Sequence, residues 1–150
     1  SKSKICLCSA RAVETYWNKF SAPLLDRIDM RVFVDNEGIG EAAARTTTAE
    51  LRVEIARAVK AQRKRQGKKN AKLLPEEIAR YCPVSAFARK SLDRAALRYG
   101  FSPRGTASCV KVARTIADMA DSSVIEEAHI QEAIRYRKAC TGFFPENADG

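Results

Sequence analysis

From Leu73 onward the chain carries a succession of helix starts and stops that leaves little room for anything but short helices joined by turns. Pro75 suits a first helical position, where its missing N–H is not needed, and Cys82-Pro83 ends that helix. Ser85 caps a second helix, in which Ala88, Leu92, Ala95, Ala96 and Tyr99 share a face before Gly100 terminates it. Ser102-Pro103 is a cap followed by a proline at the first helical position. The helix it opens is expected to bury Cys109, Val112, Ala113, Ile116 and Ala120, residues mostly small enough to let neighbouring helices approach. Glu126-Glu127 opens a fourth helix, with Ile130, Ala133 and Ile134 facing inward, that runs to about Lys138. Residues 73–150 therefore read as a compact helical bundle without internal repeat.

The upstream part reads differently. Val13, Tyr16, Trp17 and Phe20 fall at helical spacing and give residues 11–20 an aromatic face; Pro23 is expected to end that helix. Met30 to Val34 reads as a short strand closed by Asp35-Asn36. A lone strand must find its backbone partners in a sheet, so residues 1–44 look like the trailing remnant of an α/β core. Thr47 and Glu50 have the spacing of a capping box and predict a helix that Gly67 stops, with Leu51, Ile55, Ala58, Val59 and Gln62 as its buried stripe. Residues 45–72 are then a basic connector helix whose last part, 67–72, is expected to be flexible.

Charge separates the same three segments. Residues 1–44 hold six Lys or Arg against six Asp or Glu, residues 45–72 ten against two, and residues 73–150 eleven against ten, so nearly all of the net +9 lies in the connector. Arg57, Lys60, Arg63, Lys64, Arg65, Lys68 and Lys69 are the candidate contacts to a phosphate backbone; the alternative is a solvated helix face. No apolar run approaches the roughly 20 residues of a membrane span, and the chain is expected to be soluble with no membrane partner. It starts Ser-Lys-Ser-Lys without a methionine or a secretory signal, which reads as a cut end. Five irregularly spaced cysteines do not form a disulfide framework and point to a reducing cytoplasm. Cys6 and Cys8 are either ordinary thiols or half of a zinc site completed elsewhere.

No complete catalytic set stands out. Gly100 to Gly105 has the glycine spacing of a phosphate-binding loop but no lysine follows, and Pro103 makes it a turn between helices. His129 is the single histidine and reads as a hydrogen-bonding helix residue, and Cys109 as a structural thiol. Two arginines remain: Arg27, on a turn between Asp26 and Asp29, and Arg104, in the first turn of a helix, where the dipole already favours anions. For either, an ion pair with a neighbouring carboxylate is the simpler reading.

Several blocks resemble the C-terminal part of magnesium-chelatase-like AAA+ ATPases of the ComM/YifB type: Cys6-Leu-Cys8-Ser9, Tyr16-Trp-Asn-Lys-Phe-Ser-Ala-Pro-Leu-Leu-Asp-Arg-Ile-Asp29, Lys111-Val-Ala-Arg-Thr-Ile-Ala-Asp118, and His129-Ile-Gln-Glu-Ala-Ile-Arg-Tyr-Arg137. The resemblance implies a mainly α fold, a helical-bundle lid domain preceded by a short helix-strand remnant of the α/β core. It also implies Arg27 as an arginine finger acting in trans, Arg104 as the sensor-2 arginine, ATP and Mg2+ as ligands of the full protein, and assembly into a hexameric ring. It places the nucleotide-binding lysine, the magnesium-binding acids and a first cysteine pair upstream of Ser1, so that the chain alone would not hydrolyse ATP. Members of the ComM type are associated with DNA branch migration in natural transformation, whereas true magnesium chelatases insert metal into a porphyrin. Two positions depart from the family pattern. Ala22 replaces a glycine, and Thr106-Ala107-Ser108 replaces Tyr-Asp-Arg, which removes a positive charge one turn beyond Arg104 and leaves Arg114 as the substitute.

Overall fold

The structure, a computed structural model, describes residues 9–17, 19–32 and 47–138. Seven α-helices follow in order among them: α1 (Ala10–Trp17), α2 (Ala22–Asp26), α3 (Thr48–Gln66), α4 (Pro75–Tyr81), α5 (Ala86–Tyr99), α6 (Pro103–Met119) and α7 (Glu127–Lys138), with a 3₁₀ turn at Asn70–Lys72 between α3 and α4.

The helix ends lie where local chemistry puts them. Thr47 accepts from the Glu50 amide while the Glu50 carboxylate accepts from the Thr47 amide at 2.7 Å, a reciprocal cap that holds the Glu50 carboxyl below its ordinary range. Ser85 and Ser102 cap α5 and α6 through their hydroxyls. Gly67 and Gly100 close α3 and α5 in the left-handed region, at φ 75° and 61°, where a Cβ is disfavoured.

The core lies between α5, α6 and α7. Ala88, Leu92, Cys109, Ala113, Ala117, Ile125 and Ile130 are essentially inaccessible, and the alanines of α6 let the helices close together. A parallel bridge between Val84 and Ile125 ties the turn before α5 to the turn before α7. Ala120, expected on the buried face of α6, is exposed, because the helix ends at Met119 and its cap turns outward.

What joins α3 to this bundle is polar. Asp118, on α6, accepts two hydrogen bonds from Arg65 (2.6 and 3.0 Å), one from Asn70 (2.8 Å) and one from Arg114 (3.1 Å). Burial pushes the Asp118 carboxyl upward, but the bonds from Arg65 and Asn70 and the charges of Arg114 and Arg65 outweigh it, so its pKa is lowered. Arg114 is fully buried and also donates to the carbonyls of Ser122 and Ser123. Gln62 accepts from the Asn70 amide at 3.0 Å.

Four expectations about the first half of the chain change. Residues 67–72 are not a loose connector: Asn70 is 1% exposed and Lys68 pairs with Glu77 at 2.6 Å. The stripe of α3 is buried through Ala58 and Gln62, while Leu51 and Ile55 are about half exposed, because α6 ends at Met119, whose carbonyl meets Arg57. Pro23 begins α2 and does not end α1, and no strand forms among the described residues: Met30 to Val32 are without sheet partners, and Phe33 and Val34 lie outside the described residues. Arg31 N–H instead donates to the carbonyl of Tyr136 at 2.8 Å.

Candidate functional site

The short helix α2 delivers Arg27 to a turn at the edge of the helical domain, with Arg27 itself as the C-terminal cap residue. The carboxylates on either side of it are both engaged by that domain. Asp26 Oδ1 accepts from the Arg137 guanidinium at 2.7 Å and Asp26 Oδ2 from Ser102 Oγ at 2.8 Å. Asp29 Oδ1 accepts from Ser108 Oγ. Arg137 reaches further, to the carbonyls of Asp26 and Ile28 at 3.2 and 3.3 Å, so a single buried guanidinium of α7 holds three groups of the turn.

This leaves Arg27 outside the ion pairing expected of it. Its side chain is exposed, donates to the Pro23 carbonyl at 3.3 Å, and forms no salt bridge among the described residues. Its two natural partners are already committed to α6 and α7.

Ser102 works in both directions. Its hydroxyl oxygen accepts from the Gly105 amide at 2.9 Å, capping α6, while its proton goes to Asp26. Gly105 is equally specific to its place, since a Cβ there would lie 2.5 Å from a terminal nitrogen of Arg137. The guanidinium is sandwiched between that bare stretch of α6 and the ring of Phe101, 5.5 Å from the ring centroid.

Arg104, in the first turn of α6, is exposed and lines a cleft of about 440 Å³ together with Asp29, Pro75, Ile78 and Lys111. Arg27 follows Asp26 in the chain and Arg104 lies two residues after Ser102, the two residues joined by the Asp26–Ser102 hydrogen bond. Lys111, the first residue of the block that ends at Asp118, is a second cation on the same cleft. Arg114 does not join them: fully buried and bonded to Asp118, Ser122 and Ser123, it cannot substitute for the missing charge beyond Arg104, and its role is to hold the fold. Ser108, the residue standing where the family pattern has that charge, is instead the donor to Asp29.

The basic connector divides in two. Arg65 is bound to Asp118, Lys68 to Glu77, and Arg57 to Asp121 and the Met119 carbonyl. Lys60, Arg63, Lys64 and Lys69 are exposed and form no ion pair among the described residues. Cys6 and Cys8 lie outside the described residues, and within those described no group of three or more His, Cys, Asp or Glu comes together. His129 Nδ1 accepts from the Glu126 amide at 3.0 Å, closing the first turn of α7. Burial raises the Cys109 thiol to about 11, outside the range of a nucleophile at neutral pH.

Asp26, Asp29, Ser102, Ser108 and Arg137 were not candidates from sequence. The two acids flank Arg27 in the block Leu-Leu-Asp-Arg-Ile-Asp, and that symmetry was the available signal; their partners lie 76 to 111 residues away.

Among the described residues, helices α4 to α7 form a helical body, and the turn that bears Arg27 is docked on the start of α6. Residues 45–137 match the magnesium chelatase, subunit ChlI C-terminal family, and residues 1–42 match magnesium chelatase, subunit ChlI. The chain belongs to the magnesium-chelatase-like AAA+ ATPases. It is 33% identical over 134 residues to the uncharacterized protein YifB of Escherichia coli and 32% identical over 135 residues to the competence protein ComM of Haemophilus influenzae. These matches cover 87% and 86% of this chain and 26% of each relative, so the chain spans about a quarter of their length. No helix among the described residues is long and apolar enough to cross a membrane.

Proposed function

We propose that this chain supplies the lid and the arginine finger of a ring-forming ATPase that remodels DNA. The observation that carries the reading is the arrangement around Arg27: Asp26 and Asp29 are bound by Ser102, Ser108 and Arg137, which leaves the guanidinium exposed and without an ion pair among the described residues. A guanidinium in that state is available to an anion on a neighbouring subunit. Acting in trans on the γ-phosphoryl group of ATP, it stabilises the charge that spreads over the equatorial oxygens in the transition state. Arg104 and Lys111, on the cleft at the start of α6, add positive charge on the lid side of a nucleotide. Mg2+ would neutralise the β- and γ-phosphates in the assembled protein.

The DNA reading draws on the name of the competence relative and on the unpaired quartet Lys60, Arg63, Lys64 and Lys69. The test is ATP turnover by the whole protein that carries this chain, with and without branched DNA. Turnover should rise with DNA, and Arg27→Ala should reduce it by on the order of a thousandfold. Full activity in Arg27→Ala would make Arg27 a surface residue. Turnover indifferent to DNA would favour a metal-insertion ATPase of the chelatase type.

The exposed quartet also favours a second reading, a helical DNA-binding module that needs no ATPase. It predicts duplex binding by this chain alone, with a steep salt dependence whose slope falls by about 0.9 for each phosphate contact removed by neutralising one of the four.

A further inference from the structure

The junction that leaves Arg27 free also ties it to the start of α6. Asp26 is the knot: one carboxylate oxygen is held by Ser102, the cap of α6, and the other by Arg137, the penultimate described residue of α7. Arg104 lies two residues beyond Ser102, in the first turn of the helix that Ser102 caps. A rotation of α6 therefore displaces Ser102 and Asp26 together, and Arg27 is the next residue in the chain.

We propose that Asp26, held by Ser102 and Arg137, is a positioning residue that couples the lid arginine Arg104 to the finger Arg27. This inference rests on the assignment of those two arginines made above and adds the connection between them. In a ring, the lid that senses one nucleotide is then mechanically continuous with the finger that serves the next. Asp29 and Ser108 form a second tie, with Ser108 six residues beyond Ser102 along α6, and the Arg31 amide bonded to Tyr136 forms a third on α7, so the turn is fastened on both sides of Arg27. Arg137 can fill its place because Gly105 has no side chain.

That detail provides a variant that loosens the coupling from the far side. Gly105→Ala adds one methyl group 2.5 Å from the Arg137 guanidinium, whose flexible end must swing away from Asp26. Alanine is otherwise the better helix former, so the helix itself is not weakened.

The experiment measures ATP turnover by the whole protein for Asp26→Asn, Gly105→Ala, Arg27→Ala and Arg104→Ala, with Asp26→Asn also made in the Arg27→Ala background. Asp26→Asn and Gly105→Ala should each lower kcat by on the order of ten- to a hundredfold, the scale of a misplaced catalytic group, with KM for ATP unchanged. Cooperativity in ATP should fall with it. Asp26→Asn should cost nothing further once Arg27 is gone, and Asp26→Glu should recover part of the rate. Normal kcat in both Asp26→Asn and Gly105→Ala, or losses that multiply with Arg27→Ala, would overturn the coupling while leaving the arginines in their roles. If Arg27→Ala is fully active, the assignment itself falls and the coupling with it. Should Asp26→Asn fail to fold, Gly105→Ala answers the same question alone.

Discussion

Two aspartates in this chain are each held by arginine, and the surroundings give them opposite tasks. Asp118 is 4% exposed, with Arg114 fully buried beside it and Arg65, Asn70 and Thr115 completing the set; both arginines of the cluster are bonded to its one carboxylate. Asp26 has a side chain 28% exposed and is answered by Arg137 and Ser102, while the arginine next to it in sequence is left over. The first cluster closes on itself and fixes α3 against α6. The second holds a segment in place and presents an unspent charge. Burial of an ion pair, therefore, does not by itself mark function or stability; what matters is whether each charged side chain nearby has found a partner.

The contrast is open to direct attack, most severely at Asp118. Asp118→Ala strands Arg114 in the interior and should destabilise the fold by about 3–5 kcal/mol, read as a large fall in the melting temperature. Because the folded-state pKa of Asp118 is lowered, its contribution is fully present above roughly pH 4, the ordinary carboxylate value, and fades as the pH falls below that through the folded value. An acid titration of stability should show that loss in the wild type and not in the variant. Asp26→Ala should be milder, about 1–3 kcal/mol, since the Asp26 side chain is 28% exposed and a single guanidinium depends on it, against two at Asp118. Its mark should be local: faster hydrogen exchange at the Arg31 amide while the amides of α6 stay protected. If Asp26→Ala unfolded the domain as readily as Asp118→Ala, the distinction between the two clusters would vanish. Smallest of all should be Asp121→Asn, which removes the exposed pair with Arg57 but keeps a residue able to hold a φ of 53°. A loss under about 1 kcal/mol, gone at high salt, is expected.

What could be read in the sequence was what a few neighbouring residues decide. Thr47 with Glu50, Ser85, Ser102 with Pro103, Gly67 and Gly100 act on amides and dihedrals within four positions, and the helix ends follow from them. The inward face of α7 was legible because Ile130, Ala133 and Ile134 repeat at helical spacing. Periodicity gave α3 its stripe but not the length of its partner, so Leu51 and Ile55 were expected inside and are not. Met30 to Val32 have the composition of a strand, yet a ladder needs a second strand, which no local pattern supplies. At the candidate site, Arg27 and Arg104 stood out as arginines in unusual settings. Their status depended on distant partners: Asp26 with Arg137 is separated by 111 residues and Asp118 with Arg65 by 53. Charge alone made Arg57, Arg65 and Lys68 look the same as Lys60 and Lys64, and only the acids opposite them tell the two sets apart.

The half-buried stripe of α3 has a geometric consequence. The helix is 19 residues long, about 28 Å, and is gripped by the bundle near its C-terminal end through Ala58, Gln62 and Arg65, whereas Leu51, Val53 and Ile55 stand clear of it. It is an arm with its fulcrum at one end. A tilt of about ten degrees at Gln62 carries Thr47 through roughly 4 Å, a displacement larger than any hydrogen bond in the bundle could follow. Motions of the lid too small to disturb its own packing are thus magnified at the tip of that arm, where residues 45–137 and residues 1–42, the two family-matched stretches, meet in the chain.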